Sequence, residues 1–191
     1  MARTLNHTYD ELVEKAQEIF WLQGFKGVSV KGLSEHLNIS QSVIYNKFTK
    51  DQFFLDSLHY YTSNYSDPFL KQLRETTEGL DSLREFFYTL IDALLDKTFP
   101  KSCLMVNTIV ELRNENKDVV KKYDNYMKVL RDSYIVVLEK AYKLGQFKNR
   151  HKMDDYADYL LGVIFSMSIL YKIKPKPELR RYIDEELAFI K

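Results

Sequence analysis

Five hydrogen-bonding side chains, Gln41, Ser42, Tyr45, Asn46 and Lys47, fall within one stretch, Ser40 to Phe48, whose apolar residues Val43, Ile44 and Phe48 recur at helical spacing. A short helix pinned by those three leaves the five polar chains on its free face. They are the residue types that reach base edges and phosphate oxygens, so the chemistry implied is DNA recognition. Ser40 is the expected N-cap, its hydroxyl accepting a backbone N–H of the next turn. Gln41 and Ser42, nearest the helix start, suit bases. Tyr45 and Lys47 suit phosphate, Asn46 shares their face, and Lys50 lies just beyond. Ser29 and Lys31, at the start of the preceding helix, can add backbone contacts with the helix dipole behind them.

A second candidate is Cys103, the single cysteine, followed by Asn107 and Thr108 in an otherwise apolar run. A thiol there is either a sensor of oxidants or electrophiles or, among Leu104, Met105 and Val106, an inert small hydrophobe. Asn107 and Thr108 are candidate pocket residues together with Phe86, Phe87, Cys103, Tyr123, Tyr126 and Phe165. The 14 Tyr and 12 Phe of the chain would suit an aromatic cavity. Gly162, Ser166 and Ser168 would let another helix approach closely, with Val163, Met167 and Leu170 around them, and this is the expected dimer interface. The four histidines, His7, His36, His59 and His151, have no metal-ligand spacing, so no metal is expected. Gly27-Val28-Ser29 is not a nucleophile elbow and there is no glycine-rich phosphate loop, so neither an enzyme nor a cofactor is expected.

These candidates need helices to hold them. Thr8-Tyr9-Asp10-Glu11 is a capping box, and Leu12, Ala16, Ile19 and Phe20 continue at helical spacing to Gly24, where a left-handed cap is wanted. Ser29 caps a second short helix with Val30, Leu33 and Leu37 inward, and Asn38 ends it in a left-handed conformation. Helix, turn and capped helix converge on one apolar face, the helix-turn-helix pattern. Thr49-Lys50-Asp51-Gln52 reads as a second capping box. Beyond it, helices follow the Ser66-Asp67-Pro68 break, Asp81 as a cap, Cys103, Asn114 or Asn116, Asp154 or Asp155, and Pro177. The expected architecture is all-α: a three-helix helix-turn-helix domain over residues 1–50 and a helical ligand-binding and dimerisation domain over 51–191.

With 45% hydrophobic residues, 6 Gly and 4 Pro in 191, long helices and a sizeable core are the simplest outcome. Net charge is only +1, but it is unevenly placed. Between Gly24 and Lys50 four lysines oppose one glutamate, whereas Thr8 to Gln23 holds four acids and one lysine. A lone cysteine excludes an internal disulfide and fits a reducing compartment. Neither a leader nor an apolar run of membrane length is evident, so a cytoplasmic protein without a membrane partner is expected.

The N-terminal quarter resembles the DNA-binding domain of the TetR family of transcriptional regulators. The resemblance runs through Ala16, Phe20, Gly24, Phe25, Val28, Ser29, Val30, Leu33, Leu37, Ile39, Ser40, Ile44, Tyr45 and Phe48. Ser34 stands where the family usually has Ala, and Asn38 where it usually has Gly. The segment Pro100 to Leu112 is similar to a Gly-Cys-Leu…Asn…Glu-Leu pattern in some members, with Ser102 at the glycine. The resemblance implies a homodimeric repressor on a double-stranded operator with inverted half-sites, released by a small-molecule inducer. The alternatives are a regulator that senses oxidants through Cys103, or a helical interaction module without DNA binding.

Overall fold

Thr8 opens the first helix as a full capping box. Its hydroxyl accepts the Glu11 N–H at 3.3 Å while its own N–H donates to the Glu11 carboxylate at 2.8 Å. The computed structural model describes residues 8–96 and 102–190, and among these there is no strand. His7, Pro100 and Lys101, which entered the sequence reading, lie outside the described residues.

Helix α1 spans Tyr9–Gly27, with its helical run broken at Gly24, where φ is +72°. Helix α2 (Val30–Leu37) is capped by the Ser29 hydroxyl, which accepts the Gly32 N–H at 2.9 Å, and it ends at Asn38 in the left-handed region. Helix α3 is Gln41–Asn46. Its expected cap is not made, because the Ser40 hydroxyl pairs with the Ser42 hydroxyl at 2.7 Å instead of a backbone N–H. Helix α4 (Lys50–Tyr61) starts with Thr49 accepting the Gln52 N–H, but the Gln52 amide turns to Asp56, so only half of the expected box forms.

Leu12, Ala16, Phe20, Leu33, Leu37, Ile44, Phe53 and Phe54 are all buried in the N-terminal core. Burying each large apolar side chain contributes on the order of 2 kcal/mol. Phe53 and Phe54 come from α4, with Phe20 edge-on to Phe54 at 5.0 Å, so α4 packs directly on the helix-turn-helix unit.

A π-helical stretch, Thr62–Ser66, leads into α5 (Asp67–Glu75). Gly79, at φ +63°, precedes α6 (Leu80–Leu95) in the capping position expected of Asp81, which instead pairs with Arg84. A Cβ on Gly79 would stand 2.7 Å from the Ala141 Cα, so the glycine permits the start of α6 to rest on α8. Helix α7 is Leu104–Leu112. Helix α8 (Lys117–Lys143) is capped by the Asn116 side chain and spans about 40 Å. Helices α9 (Met153–Leu170) and α10 (Lys176–Ala188) close the chain. Arg131 of α8 clasps Asp158 and Asp154 of α9 at 2.6 and 2.7 Å, and Asp92 of α6 pairs with Lys176 and Arg180 of α10. No helix among the described residues is long and apolar enough to cross a membrane.

Candidate nucleic-acid interface and effector cavity

Helix α3 is held from below by one fully buried side chain, Ile44, with Val43 and Phe48 half-buried beside it. Gln41, Ser42, Tyr45, Asn46 and Lys47 are therefore exposed on the outer face, and Ser29, Lys31 and Ser40 are exposed next to them. Tyr45 keeps 66% of its surface open. Lys31 lies 3.8 Å from Glu35, a solvent-exposed contact that contributes little. The Lys47 ammonium sits 5.0 Å from the Phe48 ring centre, and no ion pair ties it down among the described residues.

Lys50, the expected phosphate contact, packs on its own chain. Its ammonium lies 4.0 Å over the Phe25 ring, facing the junction with α7. Partial burial pulls its pKa down, against the opposing charges of Asp51 and Glu111. The ring quadrupole offsets part of the hydration lost there.

The second feature is a half-enclosed cavity of about 90 Å³ beneath α1, bounded by α4, the π-helical stretch, α5, α6, the segment leading into α7, α8 and α9. Trp21, Tyr61, Tyr65, Phe69, Phe86 and Tyr126 supply aromatic walls, and Leu70, Leu90, Ala93, Leu94, Leu130, Ile164 and Met167 the aliphatic ones. Among the described residues its polar groups come from Ser66, Ser102, Cys103 and Ser168 and from the tyrosine hydroxyls, and no charged one lines it. Cys103 Sγ is 3.5 Å from the Tyr61 hydroxyl and 3.6 Å from that of Tyr126. Burial pushes both phenols well above the ordinary tyrosine range, with the neighbouring Cys103 adding to it, so both remain hydrogen-bond donors at any neutral pH. An uncharged, mostly apolar molecule with one or two polar atoms fits such a lining. A second, more open cleft of about 550 Å³ lies between α4 and α8, with His59, Asp67, Asp118, Lys121 and Lys122 on its rim. Tyr126 lies between the two.

Of the expected pocket residues, Phe86, Cys103 and Tyr126 line the cavity. Phe87 does not. One residue along α6 from Phe86, it turns about 100° away and stacks on Tyr134 in the core. Asn107, Thr108, Tyr123 and Phe165 are also absent from the wall. The Asn107 amide is engaged with the Ser102 hydroxyl at 2.6 Å, and Thr108 is buried. Trp21, Tyr61, Tyr65 and Ser66 were missed by the sequence reading. They sit on helices whose apolar stripes look like ordinary core, and only the π-helical turn at Thr62–Ser66 rotates Tyr65 and Ser66 inward.

The expected dimer face divides. Val163 and Met167 are 3% and 0% exposed, packed into their own protomer, and so are not available to a partner. Gly162 is exposed, Ser166 and Leu170 are partly so, and Ile169 and Ile173 extend the same side at 65% and 70% exposure. Phe189, 62% exposed, adds to the apolar area from the end of α10, its ring 5.0 Å from that of Tyr159.

A family profile described as "Tetracyclin repressor-like, C-terminal domain" matches residues 79–184, more than half of the chain. The chain belongs to the TetR family of transcriptional regulators. As a TetR-family protein it is similar to the uncharacterised HTH-type transcriptional regulator YezE of Bacillus subtilis, 22% identical over 182 residues and covering 94% of each chain. It is likewise 22% identical over 162 residues to the HTH-type transcriptional repressor ComR of Escherichia coli, covering 84% of this chain and 77% of that one. Among solved structures, the TetR family regulator CifR, as a cysteine mutant in complex with 26-base-pair operator DNA, shares the fold over the whole of both chains, with a TM-score of 0.86 at 17% identity.

Proposed function

We propose that this TetR-family regulator is a dimeric repressor that grips an operator with α3 and lets go when a small, uncharged, largely apolar molecule fills the cavity beneath α1. The observation that carries this reading is the cavity lining: among the described residues six aromatic side chains and no charged one, with Trp21 contributed by the first helix of the DNA-binding unit. A ligand there touches α1 directly and so can bind one arrangement of the helix-turn-helix better than another, which is what release from DNA requires. Gln41 and Ser42 read bases, while Ser29, Lys31, Ser40, Tyr45, Asn46 and Lys47 hold the backbone. The exposed side formed by Gly162, Ser166 and Ile169 of α9 and by Ile173 just beyond it joins two copies and sets two α3 helices one DNA turn apart on inverted half-sites. CifR bound to its operator DNA is the relative that lends this most support. The test is a salt-dependent gel shift on a duplex selected by the protein from a random library, repeated against small neutral aromatic alcohols and ketones. Loss of the shifted band on addition of one such compound is the expected result. Absence of any shifted band at low salt would favour an interaction module without DNA binding.

A second reading is favoured by Cys103, whose sulfur is on the cavity wall between two phenol hydroxyls. There it would respond to oxidants or electrophiles rather than to a reversible ligand. If peroxide or a quinone releases the wild-type protein from DNA and fails to release Cys103→Ser, this reading replaces the first.

A further inference from the structure

Helix α7 is fixed to α1 at both of its ends. At its start the indole N–H of Trp21 donates to the Ser102 carbonyl at 2.8 Å. At its end the Glu111 carboxylate accepts two backbone N–H groups of the turn after α1's helical run, Phe25 at 3.0 Å and Lys26 at 2.6 Å. Hydrogen bonds to a charged acceptor are about twice as strong as neutral ones. Gly24 makes the arrangement possible in two ways. Its φ of +72° turns the following N–H groups outward, and a Cβ in its place would stand 2.7 Å from Glu111 Oε2. Glu115 adds an ion pair to Lys26, but both partners are more than half exposed and the pair is weak.

The two attachments differ in what they touch. Trp21 and Ser102 line the inner cavity, whereas Glu111 holds the turn that leads into α2 and α3. Between them α7 is nine residues of continuous helix, a rigid connection of about 13 Å.

We infer that Glu111 is a positioning residue for DNA binding: it latches the turn before the helix-turn-helix to the wall of the cavity, and displacement of that wall loosens the latch. The first half stands on the geometry alone. The second half rests on the reading of the cavity as the effector site.

The experiment uses the full chain and a duplex that the wild-type protein selects from a random library. Glu111→Ala is expected to bind that duplex about tenfold more weakly, the loss of preorganisation that follows from two charge-assisted hydrogen bonds. Its salt slope is expected to match wild type, because no phosphate contact is removed. The amides of Phe25 and Lys26 should exchange faster, with protection in α8 retained. Glu111→Gln, nearly isosteric and keeping one oxygen acceptor, should recover part of the affinity, and it serves if the alanine variant fails to fold. Glu115→Ala should stay within about twofold of wild type. Wild-type affinity in Glu111→Ala, or unchanged exchange at Phe25 and Lys26, overturns the latch.

The link to the cavity is read by filling it from within. Ala93→Phe, with Ser168→Leu as a second filler, is expected to weaken DNA binding in the wild-type background and to add nothing to Glu111→Ala. Equal losses in both backgrounds overturn the coupling. Fillers without effect in either background overturn the cavity as effector site and leave the latch to be judged on Glu111→Ala.

Discussion

The side-chain amide of Asn107 donates to the Ser102 hydroxyl at 2.6 Å, and the serine so held has φ +90°. A side chain in that region costs about 1–2 kcal/mol, while the hydrogen bond returns roughly 1 kcal/mol. The two nearly cancel. Ser102→Gly is therefore expected to unfold within about 1 kcal/mol of wild type in urea, despite losing a buried hydroxyl. Ser102→Val keeps the backbone cost and orphans the Asn107 amide, so a loss of about 2–4 kcal/mol is expected. A valine variant as stable as the glycine one would show that the strained φ is not maintained in solution.

On the outer face of α3, charge and polarity separate two kinds of loss. Lys47→Ala should weaken binding to all duplexes alike and lower the salt slope by about one, since a single phosphate contact is removed. Gln41→Ala should leave the slope alone and relax preference at one base pair, at a cost of about 1–3 kcal/mol on the selected sequence. Equal slopes for Lys47→Ala and wild type would remove that lysine from the backbone contacts.

The exposed side of α9 gives a test that does not depend on DNA. A Cβ at Gly162 would meet nothing within 4 Å in its own protomer and the position is exposed, so Gly162→Leu should fold normally and block close approach of a second copy. Ile169→Asp should do the same by placing a charge in the centre of the apolar face. Both are expected to sediment as monomers under conditions where wild type is dimeric. A dimeric Gly162→Leu would move the interface elsewhere.

Alkaline stability follows from the tyrosines. Burial, then the hydrogen bond to Glu14, pushes Tyr60 up to about 12, and burial raises Tyr61, Tyr126 and Tyr134 well above the usual value. Unfolding returns them to about 10. Because the folded chain holds these protons more tightly, its stability is fully present below about pH 10 and is lost as pH climbs through the folded values. Urea midpoints should be flat from about pH 8 to about pH 9 and fall beyond about pH 10, with a shallower fall in Tyr60→Phe. A flat profile to about pH 11 would contradict this origin.

Helix starts were legible wherever one side chain makes the cap. Thr8, Ser29, Thr49 and Asn116 all accept the expected N–H groups. Ser40 was not, because two serines two residues apart satisfy each other before either reaches the backbone. The polar face of α3 was legible because one buried isoleucine fixes its rotation. Helix α9, apolar nearly all round, carries no such mark, and periodicity alone does not tell Val163 and Met167, which face the protomer's own core, from Ile169, which does not. Phe86 and Phe87 pose the same problem over a single residue. Lys50 and Glu111 escaped for another reason. Their roles depend on Phe25 and on a turn 86 residues away, and separations of that kind leave no trace in local spacing.

Trp21 is the sole tryptophan of the chain. It lies edge-on to Tyr61 and Tyr65 at 4.9 and 5.3 Å, with its indole hydrogen-bonded across the junction and one side on the cavity. Its ultraviolet emission therefore originates at one known place. Intensity and wavelength of that emission form an intrinsic optical reporter, and compounds can be screened against the unlabelled protein before any promoter or target gene is known.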